Sequence, residues 1–209
     1  MELNGYSQIG QDLWVLRTLN YKRNGYFVEI GAMDGIHYSN TYLMEKEFGW
    51  KGIVVEPNPI HRTALKKNRT CKKEFRAIDR YKKINREFIV LDGYNSGLSC
   101  LKEYFDKDYH KDLREKFGKV IRVETTSPNV MLNFHKAPTN IDYLSIDTEG
   151  NELDILRILD WTKYSIQLIT IEHNKNDIYL QQINDFLFSK GYALYDKQET
   201  YFDSWYYKK

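Results

Sequence analysis

Surplus charge is almost absent from this chain of 209 residues. Thirty-one lysines and arginines face 29 aspartates and glutamates, for a formal net charge of +2. No whole-molecule field therefore argues for nucleic acid. The basic runs KKNRTCKK (66–73) and RYKKINR (80–86) read first as mixed charge on solvated helix faces, although they would also guide an anionic partner. Cysteine is scarce too. Cys71 and Cys100 have neither metal-type spacing nor the density of a disulfide framework, which fits a reducing compartment. No run of ~18 apolar residues occurs, and the opening MELNGYSQIGQDLWVL has no apolar core of signal-peptide length, so the expectation is a soluble cytoplasmic protein without a membrane span. Repeats, linkers and low-complexity tracts are missing as well. That leaves one domain over 1–209, large enough to bury most of its apolar surface. Tyrosine, by contrast, is plentiful, with 17 copies. Most fall inside strand-like runs, where a half-buried ring is ordinary; the rest would suit a carbohydrate-facing or base-stacking surface.

The chain alternates between two textures. Short β-branched and aromatic runs occur at 25–30, 52–56, 74–78, 87–91, 120–124, 141–146 and 166–171, several nearly continuous in apolar residues, as strands buried on both faces should be. Between many of them lie segments with helical spacing. SNTYLMEKEFG starts at a capping Ser39 or Asn40 and stops at Gly49. PIHRTALKKNR opens with Pro59, NELDILRILDW gathers its leucines and isoleucines on one face, and DIYLQQINDFLFSKG has a cap at Asp177 and a stop at Gly191. This alternation predicts an α/β fold with a mostly parallel sheet covered on both sides. The tail breaks the rhythm: 191–196 and 200–207 read as a closing β-hairpin. Residues 98–119, LSCLKEYFDKDYHKDLREKFGK, form a charged, aromatic insertion. It is either a substrate-side lid or a solvated helix with Tyr104, Phe105 and Phe117 packed beneath.

The first strand runs into FVEIGAMDG (27–35). Gly31 and Gly35 allow a sharp turn and a close backbone approach to a ligand. A dinucleotide fingerprint would read GxGxxG, whereas here the spacing is GxxxG and Glu29 and Asp34 add negative charge. Such a loop repels phosphate and suits a cation, such as an ammonium or a sulfonium. The next strand ends at Glu56, about 20 residues on, where an acid accepts from both ribose hydroxyls. Together the two features point to S-adenosylmethionine (SAM).

Four pieces, in order, resemble the FkbM family of SAM-dependent methyltransferases: YSQIGQDLWV; FVEIGAMDG continuing into SNTYLMEKEFGWKGIVVEPNP; NSGLSC; and IDYLSIDTEGNELDIL. The resemblance implies a Rossmann-like class I methyltransferase fold, a seven-stranded sheet whose C-terminal hairpin is antiparallel. It also implies O-methylation, in this family often of sugars and glycosides. By resemblance, Glu29, Gly31, Ala32, Asp34 and Gly35 would line the methionine end of SAM, with Asn40 and Thr41 following in the same loop. Glu56 would take the ribose, with Pro57 and Asn58 beside it, while Ala77 and Ile78 would flank the adenine. Ser7, Gln8 and Gln11 would form an N-terminal lid. Pro128 after VETTS, and the whole of 98–119, depart from the family pattern where substrate specificity would be set.

Methyl transfer to a hydroxyl needs alignment and removal of a proton, by a positioned base or by a divalent metal that acidifies the hydroxyl. The candidates sit at two strand ends: Asp147, with Glu149 opening the next helix, and Glu172 with His173. Asp147, Glu172 and His173 would ligate Mg²⁺ or Mn²⁺, as in metal-dependent sugar O-methyltransferases that the arrangement resembles. A metal-free rival makes His173 or Asp147 the base, oriented by Glu172. In a third reading Glu149 caps its helix and Asp147 bonds the cofactor's amino group. His37, His61, His110 and His135 are isolated. The favoured acceptor is a sugar or glycan hydroxyl, for instance of a deoxyhexose such as rhamnose, with tyrosines and Trp205 stacking on the ring. RNA ribose or a small natural product is the alternative, and a non-catalytic scaffold domain the second. The sequence leaves the oligomeric state open, a homodimer included.

Overall fold

The computed structural model describes residues 3–80, 85–195 and 201–209. Residues 81–84 of the second basic run, and most of the polar turn expected inside the C-terminal hairpin, lie outside the described residues. Seven strands build the main sheet: β1 (Tyr26–Ile30), β2 (Lys51–Val55), β3 (Lys72–Glu74), β4 (Asn140–Ile146), β5 (Ser165–Glu172), β6 (Tyr192–Leu194) and β7 (Asp203–Lys208). Their order is β6-β7-β5-β4-β1-β2-β3. β3, β2, β1, β4 and β5 are mutually parallel, while β7 runs antiparallel to both β5 and β6. This is the seven-stranded sheet with a reversed closing hairpin that the sequence pattern predicts.

The sheet is apolar on both faces because its strands alternate between two cores. Val28, Ile30, Ile53, Val55, Leu144 and Ile146 face one core with helices α5 (Pro128–Phe134), α6 (Glu152–Ile158) and α7 (Asp177–Ser189). Phe27, Val54, Tyr143 and Leu168 face the other, with α1 (Gln11–Thr18), α2 (Tyr42–Phe48) and α3 (Arg62–Asn68). Burial on both sides explains why these strands read as continuous hydrophobic runs. Local signals end the helices. Ser39 Oγ accepts from Tyr42 N–H ahead of α2, and Gly49 closes it in the left-handed conformation at φ 71°. The α7 cap is Asn176 rather than Asp177, its side chain accepting from Tyr179 N–H.

Two predicted strands belong elsewhere. Residues 86–90 and 119–123 pair antiparallel with each other, and Cys100–Leu101 completes a separate three-stranded sheet. The run at 74–78 breaks in two because the Glu74 carboxylate accepts from Phe75 N–H and Arg76 N–H. Beyond that break Ala77–Ile78 pairs with Thr125–Thr126. Residues 98–119 therefore begin as part of this side sheet and continue into a short helix, α4 (Lys111–Phe117). Of the three aromatics expected beneath it, Tyr104 is buried while Phe117 is 59% exposed. Trp205 is a core residue, 2% exposed and packed against Trp14 and Tyr195. A stacking role toward a sugar is thereby corrected, since a buried indole presents no free face. Among the described residues no helix is long and apolar enough to cross a membrane.

Candidate active site

A cavity of about 470 Å³ opens at the carboxyl ends of β1, β2, β4 and β5, a volume typical of small-molecule sites. That is where an open parallel sheet leaves room for a ligand, at the point where the strand order reverses. Gly31 sits in its wall with φ 95°, and a Cβ there would collide with the Asp147 carbonyl oxygen, so only glycine lets β1 and β4 end this close together. Ala32 lines the wall beside it.

The acids of the first loop are not where the sequence reading put them. Glu29 does not line the cavity. It is buried, accepts from Ser39 Oγ, Asn40 N–H and Thr41 Oγ1, and forms an ion pair with the fully buried Arg69 at 3.2 Å. Asp34 folds back on its own turn, accepting from Ile36 N–H and His37 N–H at 2.9 and 2.8 Å. Gly35 packs against Arg69 and Leu65, and Thr41 serves Glu29, so none of the three lines the cavity. The loop is thus not an acid rim; Glu29 is paired with a buried arginine forty residues on, and Asp34 is taken up by its own turn.

Asn40 does reach the cavity. Its amide nitrogen donates to Ser145 Oγ at 2.8 Å, while its oxygen is buried without a hydrogen-bond partner. Glu56 lines the wall with Pro57, Ala77 and Ile78. Its carboxylate accepts from Met33 N–H and Asn58 N–H, both at 2.8 Å, yet burial raises its pKa to about 7. Asn58 stands behind it and bonds Ser99 Oγ, tying this loop to the NSGLSC segment. On the N-terminal side Gln8 and Gln11 line the cavity, Gln11 being held by Asp203 at 2.7 Å. Ser7 does not; its hydroxyl donates to Asp12 and its strand bridge to Tyr38 anchors the segment.

The floor is acidic. Asp147, Glu149 and Glu172 each offer a carboxylate oxygen, all within 4.8 Å of one another. Burial, then the charge of Asp203, pushes Asp147 up to about 7, while a hydrogen bond with Glu172 pulls the other way. Burial and then the Asp147 charge hold Glu149 and Glu172 well above the usual carboxylate range. Three acids this close, even with the Arg114 guanidinium bonded to one of them, cannot all ionise, so they share protons. Glu149, a helix cap in the third of the readings from sequence, belongs to this group, whereas His173 does not. The His173 ring is buried outside the cavity, its pKa lowered by that burial, and its backbone N–H donates to Phe202. Its roles as metal ligand and base are therefore corrected: the strand turns away one residue after Glu172. Capping around α6 falls instead to Glu152, which accepts from Thr148 and Gly150 N–H.

The fourth wall comes from the side sheet and the insertion. Tyr94, 93% exposed, Tyr109, 64% exposed, and His110 face the cavity. None was assigned a role from sequence, although the aromatic content of 98–119 marked the segment. Among the described residues lining the cavity there is no lysine or arginine.

Strand order, a reversed last hairpin and a cavity at the carboxyl ends of the parallel strands define a Rossmann-like class I methyltransferase fold. The chain belongs to the FkbM methyltransferase family: the methyltransferase FkbM domain matches residues 29–194. Membership of that family implies SAM as the methyl donor. The fold is similar to the crystal structure of an FkbM methyltransferase from Methylobacillus flagellatus KT, with TM-score 0.56 and 12% identity, covering 97% of this chain and 48% of that one. The chain thus spans about half the length of that protein. A putative RNA methyltransferase from Pyrococcus horikoshii aligns with TM-score 0.48 and 9% identity over 99% of this chain and 93% of its own. No curated protein sequence matches the chain.

Proposed function

We propose that the protein is a SAM-dependent O-methyltransferase whose acceptor is a sugar or glycan hydroxyl, for instance on a deoxyhexose such as rhamnose. The observation carrying this reading is the composition of the cavity wall: three clustered carboxylates opposite exposed tyrosines, with no basic side chain among the described lining residues. Carboxylates accept from neutral hydroxyls and tyrosine faces cover apolar ring surfaces, whereas a phosphodiester needs lysine or arginine nearby. RNA ribose is disfavoured on that ground, because the exposed lysines of 66–73 lie on α3 and β3 outside the cavity.

When bound, SAM supplies an electrophilic methyl group. Glu56 would accept from the ribose hydroxyls, and Asn40 would face the cofactor's ammonium. The acid floor would orient the acceptor hydroxyl, and Asp147, with its pKa near neutrality, would take the proton as the oxygen bonds the methyl and the thioether leaves. Incubation with SAM and a panel of glycosides, capped RNA and small alcohols, read by mass spectrometry, tests the assignment. One methylene gained by a glycoside supports it. Methylation confined to RNA with steep salt dependence, or failure to bind S-adenosylhomocysteine (SAH) at all, overturns it in favour of the nucleic-acid or scaffold alternative.

A divalent cation is the second reading, favoured by the same cluster. Three oxygen donors are the ligand chemistry Mg²⁺ and Mn²⁺ prefer, and Asp147, Glu149 and Glu172 would hold the ion and lower the hydroxyl's pKa. Dialysis against EDTA then lowers turnover and Mg²⁺ restores it; full activity in chelator leaves Asp147 as the base unaided.

A further inference from the structure

Arg114 is the most completely buried charge of the insertion, with 1% of its surface exposed. Its guanidinium makes four bonds in three directions. Nε donates to Leu98 O at 2.8 Å, Nη1 to Phe105 O at 3.0 Å and Asp108 Oδ1 at 2.9 Å, and Nη2 to Glu149 Oε2 at 2.7 Å. The first three draw together the start and middle of 98–119; the fourth reaches the acid floor. The turn it reaches is a strained one. Glu149 has φ 63°, in the left-handed region that side chains rarely adopt, and neighbouring Gly150 packs directly on Tyr104 and Lys107 of the insertion. Tyr104 Oη also donates to Asp154 at 2.9 Å.

We propose that Arg114 is a positioning residue for methyl transfer. It holds Glu149 Oε2, keeps that carboxylate beside Asp147 and Glu172, and makes the placement conditional on the insertion being folded over the cavity. A single planar fork does both tasks, which a lysine ammonium cannot. Acceptor recognition by Tyr109 and His110, on the same insertion, and assembly of the acid floor are then one event. This inference rests on the methyltransferase reading, and its test separates the two.

Arg114→Met and Arg114→Lys are compared with Tyr104→Phe, which breaks the Asp154 contact but keeps the guanidinium. Amide exchange is followed in 98–117 and in the 147–152 turn, SAH affinity by calorimetry, and kcat and KM on the best glycoside acceptor. Arg114→Met is expected to speed exchange in both segments and to lower kcat about tenfold to a hundredfold, with SAH affinity held within about threefold. Arg114→Lys should recover part of kcat, and Tyr104→Phe should loosen 98–117 alone. In a Glu149→Gln background Arg114→Met should cost little further, because the two act as a unit. Faster exchange in 98–117 with an unchanged 147–152 turn and wild-type kcat would reduce Arg114 to a staple of the insertion and overturn the proposal. Should Arg114→Met fail to fold, wild-type exchange and kcat in Arg114→Lys have the same force. Loss of SAH binding by the unmodified protein would instead sink the methyltransferase reading.

Discussion

Two groups of acids, one behind the cavity and one forming its floor, are built in opposite ways. Glu29 is surrounded by two hydroxyls, a backbone amide and a buried guanidinium, which in turn is paired with Glu45 at 2.6 Å. Every charge there has a partner, and none faces the cavity. Asp147, Glu149 and Glu172 face one another, with Arg114 the cation bonded to the group. A compensated charge holds a loop in place; an uncompensated one stores affinity for a proton or a cation. The difference separates architecture from chemistry better than residue type or position along the strand does.

The comparison breaks most visibly at Arg69. Arg69→Met strands Glu29 and Glu45 together and should cost about 3–5 kcal/mol of stability, seen as a lowered unfolding midpoint with SAH affinity lost only through unfolding. Asp147→Asn should do the reverse. Removing one like charge leaves stability unchanged or raised, while kcat falls about 10²–10⁴-fold, and equal losses in both quantities would contradict the contrast.

The acid floor also gives stability a pH signature. Glu56 and Asp147 have folded pKa values raised from 4.5 and 3.8 to about 7. The folded protein therefore holds protons that the unfolded chain releases. Their contribution to stability is full below about pH 4 and is lost as pH rises through about 7, on the order of 3 kcal/mol for Glu56 alone. Denaturation curves from about pH 5 to 8 should fall in the free protein and flatten with SAM, whose cation favours the ionised acids; a flat profile without ligand would remove the premise. The smallest effect is expected at the rim. Tyr94→Ala should raise acceptor KM only about threefold and leave SAH binding and stability alone, since this ring is almost wholly in water.

Much of the frame was legible in the chain itself. Hydrophobic runs with helical spacing between them foretold the parallel sheet, and the polar break before 201 foretold the reversed hairpin, because both depend on local pattern. Gly31 and Glu56 were legible for the same reason: a glycine after a buried strand, and an acid at the next strand end, are short-range signals. Glu29 was misread because its partner Arg69 is distant in sequence and looked like one cation in a solvated basic run. His173 and Glu149 exchanged roles because a one-residue turn of the backbone decides which side chain enters the cavity, and no spacing rule resolves that. Arg114 was invisible; burying an arginine in a highly charged helix is a tertiary fact.

The collision that a side chain at position 31 would make with the Asp147 carbonyl has a practical corollary. Main-chain hydrogen bonding, Asp147 N–H to Ile30 O at 2.9 Å among it, sets the gauge between the donor loop and the floor. Tyr109 and His110 hang from a different scaffold, the 98–119 excursion. On the proposed function, a foreign excursion that keeps a guanidinium at the Arg114 station should retune acceptor choice without resetting that gauge.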